Sequence, residues 1–179
     1  MVGDRVHTFD SGLQPVVEMR RSTLWTEDTT QDPALQHFLV PRHALGNLAP
    51  MRLLPEQTVL VESDSAEALH DDPFALVPVS ALEGYRGITR VVPQQPTEII
   101  AIGFAEEEIL YANGSALVHC ARLGADSFAT PEEMMHAAMG DAYPKLSAAA
   151  LAQLVACLHR EEAGPAAMRD QAACSVAAE

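Results

Sequence analysis

An Asn-Gly pair flanked by alternating apolar residues is the strongest short-range hairpin signal a sequence carries. This chain has one at Asn113-Gly114, inside TEIIAIGFAEEEILYANGSALVHCARL, residues 97–123, which reads as three strands in a meander. A two-residue loop fixes the pairing of its flanks. Ala112 then faces Ser115, Leu110 faces Leu117, Ile109 faces Val118, and Glu108 faces His119.

The side-chain period of two sorts these strands onto two faces. Ile100, Ile102, Phe104, Ile109, Tyr111, Val118 and Cys120 form a bulky apolar face, which is assigned to the core. The opposite face carries Ile99, Ala101, Gly103, Glu108, Leu110, Ala112, Ser115, Leu117, His119 and Ala121, and is lined by small residues with one carboxylate and one imidazole. Small residues leave room either for an alanine-rich helix or for a ligand in a cleft. A carboxylate beside a histidine raises the imidazole pKa and fixes its tautomer, which suits a general base. Glu108 and His119 are therefore the candidate catalytic pair. Ser115 and Leu117 on the same face, with the Tyr111 hydroxyl, are the candidate ligand-binding residues. The plainer alternative is a cross-strand ion pair at the end of a sheet, worth about 0.2–1 kcal/mol.

The flanking segments supply the rest. Residues 57–62, 74–79 and 88–92 read as strands, and Val16-Val17 and Thr23–Trp25 as short ones. Ser63 or Asp64 caps a short helix from Ser65 to His70. Asp32-Pro33 predicts a helix through Leu39 that stops before Pro41. Thr130-Pro131-Glu132-Glu133 is a capping box with proline at the first helical position. From Ser147, the residues Leu151, Leu154, Val155 and Leu158 follow the spacing of a buried helical stripe, with Gly164-Pro165 as its stop. These features predict a single α+β domain over 1–164: an antiparallel sheet of five or six strands with two C-terminal helices packed on one face. Residues 165–179 read as a disordered or frayed tail.

Composition narrows the partners. With 11 basic against 25 acidic residues the formal net charge is −14. Such a chain repels nucleic acid and anionic lipid, so neither is an expected partner. No apolar run approaches a membrane span, and the N-terminus has no signal-like apolar segment, so a cytoplasmic location is expected. Cys120, Cys157 and Cys174 have no CxxC spacing and read as reduced thiols. Cys120 points away from its neighbour His119, because adjacent strand residues face opposite sides. His37 and His43 straddle Pro41 at no helical ligand spacing, and no metal site or cofactor is predicted. Phosphate-binding glycine motifs and the GxSxG elbow are missing.

Two functions fit. One is a cofactor-independent enzyme of isomerase, cyclase or hydrolase type, acting on a small apolar metabolite on the small-residue sheet face. The other is a non-catalytic accessory or ligand-binding protein, homodimeric, that engages a partner enzyme or carrier.

Overall fold

The computed structural model describes residues 1–24, 36–120 and 146–176, with side chains up to residue 163. Its described part is mostly antiparallel sheet followed by a C-terminal helix. One sheet runs β2 (Gly12–Pro15), β1 (Arg5–Thr8), β10 (Glu108–Ala112), β11 (Ala116–Cys120), β6 (Thr58–Glu62), β7 (Phe74–Pro78) in spatial order. A second pairs β3 (Glu18–Leu24) with β9 (Thr97–Gly103). A third sets β4 (His37–Val40) between β5 (Met51–Leu53) and β8 (Thr89–Val91). Two compact units result, one of residues 1–61 and 76–145, the other of 62–75 and 146–179.

The meander expected over 97–123 resolves into a hairpin and a separate strand. β9 pairs along its whole length with β3, from Glu18↔Gly103 to Leu24↔Thr97. The other edge of β10 is taken by β1, through Thr8↔Leu110. Short β1, with one buried residue in four, carries too little pattern to announce that competitor in the sequence.

The hairpin itself is in a different register from the expected one. Ala112 pairs with Ala116, Leu110 with Val118, Ile109 with His119, and Glu108 with Cys120. The loop is thus Asn113-Gly114-Ser115, one residue longer than a minimal Asn-Gly turn. The cause is tertiary. The segment 41–50 clasps the turn: Leu48 N donates to Asn113 O at 2.6 Å, and Ser115 N donates to Gly46 O at 3.2 Å. Asn113 Nδ2 also donates to Ala49 O at 2.6 Å, and Ser115 Oγ to Gly46 O at 3.0 Å. Asn47, fully buried, holds that clasp rigid by donating to Pro41 O and Ala49 O while accepting from Leu45 N. A slip of one residue moves each side chain to a new cross-strand partner.

The clasp makes Gly114 a sensitive position. It has φ +110°, and a Cβ there would stand 2.7 Å from Leu48 Cγ and 3.1 Å from Gly46 O. Gly114→Ala is expected to lower stability by about 1–3 kcal/mol, read as a lower urea midpoint with unchanged slope.

The predicted helix over 32–39 is not formed where it can be seen, since His37–Val40 is the central strand β4. Residues 32–35 lie outside the described part. His37, Phe38 and Val40 are buried, as expected of a strand paired on both edges, whose apolar residues run on rather than alternate. The short helix appears as α1 (Asp64–His70), with Ser63 Oγ accepting from Ser65 N. The C-terminal helix is α2 (Ala148–Val176), with Leu154 and Leu158 buried and Leu151 and Val155 half-buried. It continues through Gly164-Pro165, where a stop was expected. One missing N–H does not end it, because alanine-rich sequence on both sides favours helix. Within that unit the Glu161 carboxylate accepts hydrogen bonds from the hydroxyls of Ser63 and Ser65, which ties α2 to the start of α1. The helix expected from Thr130 lies outside the described residues. No described helix is long and apolar enough to cross a membrane.

Candidate functional site

The observed register separates the predicted pair. Glu108 shares a face with Cys120, while His119 shares one with Ile109. Cross-strand opposition of Glu108 and His119 is therefore corrected, and the cause is the longer loop described above. Glu108 is buried, and its Oε2 has no hydrogen-bond partner among the described residues. Cys120 packs against the Val16, Phe104 and Leu110 cluster, and burial pushes its thiol up to about 12. A thiol so held stays protonated at neutral pH and is no nucleophile.

His119 has other partners. β11 lies between β10 and β6, and the Val118↔Val59 pairing sets Thr58 directly across from His119. Thr58 Oγ1 lies 2.9 Å from His119 Nδ1. Nε2 of the same ring meets the Glu107 carboxylate in a short hydrogen bond. Gln57 Nε2 donates to the His119 carbonyl at 2.6 Å and braces the strand from behind. His119 is 3% exposed and the Glu107 side chain 6% exposed, whereas Thr58 is half-buried. A hydroxyl, an imidazole and a carboxylate thus stand in line, contributed by β6, β11 and the loop before β10. A neutral ring protonated on Nε2 donates to Glu107 and accepts the threonine hydroxyl proton on Nδ1. That is the order needed to activate an alcohol: nucleophile, base, and a third group that orients the base.

The predicted ligand-binding residues are not gathered around this line. Ser115 is committed to the clasp through Gly46 O. Tyr111 and Leu117 are cross-strand partners, and Tyr111, 41% exposed, packs edge-on against His7 and close to Phe9.

A cleft of about 190 Å³ opens elsewhere in the same unit, between β3–β9 and β4–β5. Leu24, Leu53 and Ile99 supply apolar walls, and His37, Arg52 and Gln57 supply polar groups. His37 is 4% exposed, and neither of its ring nitrogens has a hydrogen-bond partner among the described residues. Burial first, and then the positive charge of Arg52, hold its pKa below the ordinary 6.5. The unfolded chain therefore takes up a proton near that ordinary value that the folded chain refuses. Stability contributed by neutral His37 is present above it and lost as pH falls towards the lowered folded value. Acidification from about pH 7.5 to about pH 5.5 is expected to lower the melting temperature of the wild type more than that of His37→Leu. Among the described residues no group of three or more histidine, cysteine or carboxylate side chains is arranged to hold a metal ion.

Three of these residues were missed in the sequence. Glu107 precedes the predicted strand residue Glu108 and carries no pattern of its own. Thr58 belonged to a well-marked strand whose neighbour could not be read, and His37 was placed on a helix. A β-branched Thr58 at a strand start was the one available signal.

Residues 1–120 match the model of a protein family described as Hint domain. No curated protein and no solved structure matches the chain.

Proposed function

We propose that this chain, which belongs to the Hint domain family, is a cofactor-independent acid–base enzyme of the hydrolase type, working in the cytoplasm on a small, largely apolar molecule. One observation carries this reading: Thr58 Oγ1 lies 2.9 Å from His119 Nδ1 while Nε2 of that ring is held by Glu107. His119 keeps the role the sequence suggested, Glu107 replaces Glu108 as its carboxylate, and Thr58 is the nucleophile.

The chemistry follows from the line of groups. Thr58 Oγ1 attacks the carbonyl carbon of an ester as its proton passes to His119 Nδ1. The carbonyl–alkoxide bond breaks, and the departing alcohol takes that proton. Water then repeats the sequence on the threonine ester, releasing the carboxylic acid and restoring the hydroxyl. Glu107 holds the ring in the required tautomer and stabilises the imidazolium formed on the way. General-base assistance of this kind contributes about 10²–10⁴-fold.

The test is steady-state hydrolysis of short-chain p-nitrophenyl esters by the purified chain. Turnover that rises with the activating strength of the leaving group supports the reading. A rate equal to that of buffer with denatured protein removes it.

A second reading, a homodimeric accessory protein, is favoured by Leu13, Ile100 and Tyr111, large apolar side chains that are 51%, 52% and 41% exposed. Isolated exposed apolar residues are common, whereas those of an interface form a contiguous patch. Sedimentation as a strict monomer at every accessible concentration argues against it.

A further inference from the structure

We propose that the cleft between β3–β9 and β4–β5 is a binding site for a small carboxylate carrying an apolar body about the size of a benzene ring. This goes beyond the threonine–histidine chemistry and does not depend on it. The motivating feature is His37. A buried imidazole whose two nitrogens have no partner among the described residues forgoes hydrogen bonds it would make in water, which costs about 1–3 kcal/mol. A buried polar group in that state is a strain reservoir, a functional group or one completed by a bound species, and the lining of the cleft points to the last.

The chemistry of the lining selects the partner. Leu24, Leu53, Leu54 and Ile99 favour an apolar body. About 190 Å³ is close to the volume of an apolar cavity of about 150 Å³ known to accept benzene. Arg52 lines the same cleft and makes no salt bridge among the described residues. The Glu98 carboxylate, also on the lining, is hydrogen-bonded to Arg21 Nη1 at 3.0 Å, so its charge is compensated from outside the cleft. The group left to be read is thus an anion: a carboxylate accepts from the guanidinium and from the N–H of a neutral imidazole. A ligand cation would meet the repulsion of Arg52, and a neutral ligand would gain little from its charge.

The experiment is titration of the full chain with benzoate, benzyl alcohol and benzylamine, followed by calorimetry and by the ring resonances of His37. Benzoate is expected to bind saturably and shift those resonances. Benzyl alcohol is expected to bind about tenfold or more weakly, as the loss of a charge-assisted hydrogen bond implies. Arg52→Gln, an exposed position whose change does not threaten the fold, should weaken benzoate by a similar factor. His37→Leu should lose the preference for benzoate over benzyl alcohol. Thr58→Val should bind benzoate like the wild type, which keeps this site separate from the hydrolytic one. The proposal is overturned if benzylamine is preferred, if Arg52→Gln binds benzoate as tightly as the wild type, or if benzoate leaves the His37 resonances unmoved.

Discussion

Replacing His119 with alanine is expected to lower the unfolding free energy by about 3 kcal/mol, the upper end of the range for taking one hydrogen-bond partner from a buried group, because the acceptor is a carboxylate. The side chains of His119 and Glu107 are 2% and 6% exposed, so neither can turn to water for a substitute partner. Without the ring, the Glu107 carboxylate loses its partner at Nε2 and the Thr58 hydroxyl loses its partner at Nδ1. A void the size of an imidazole also opens in the middle of the six-stranded sheet, between β10 and β6. These costs share one direction. Urea denaturation checks the figure, and a loss smaller than about 1 kcal/mol would mean that the site is wetter than its burial indicates. His119→Gln, which keeps a donor and an acceptor, should recover part of the loss but not the acid–base function.

The second large effect is on turnover rather than on stability. Thr58→Val replaces the hydroxyl by a methyl group of nearly equal size. It should cost about 1 kcal/mol of stability, the usual worth of one hydrogen bond. On the proposed mechanism it removes the nucleophile and leaves the base without its proton donor, so ester turnover falls by at least about 10²–10⁴-fold while the fold persists. Thr58→Ser should keep activity. Glu107→Gln should keep Thr58 in place yet lower turnover and alter the pH profile, because an amide cannot stabilise the imidazolium as a carboxylate does. A merely structural network predicts a different pattern, in which rates follow stability across all three variants.

Legibility in the sequence was uneven, for physical reasons. Local signals were reliable: the strand at 58–62, the Ser63-capped helix, and the stripe Leu151, Leu154, Val155, Leu158 are set by neighbours a few residues away. Asn113-Gly114 did mark a turn, but not its length, because the loop at 41–50 reaches across and takes up the polar groups of Asn113 and Ser115. That single contact shifted the register and exchanged Glu108 for Glu107 in front of His119. The role of Thr58 was out of reach, since it rests on β6 lying beside β11, a pairing of residues about sixty apart in the chain. For His37, helix-start chemistry at Asp32-Pro33 pointed one way. Pairing with β5 and β8 on both edges made HFLV a central strand.

The central claim is that Thr58 is an activated hydroxyl. Its most direct test is exposure of the native protein to a fluorophosphonate probe, followed by peptide mass spectrometry. One adduct on the peptide carrying Thr58, lost in Thr58→Val and retained in Thr58→Ser, is the predicted result. An unlabelled wild type, or a label on any other residue that survives in Thr58→Val, would contradict it.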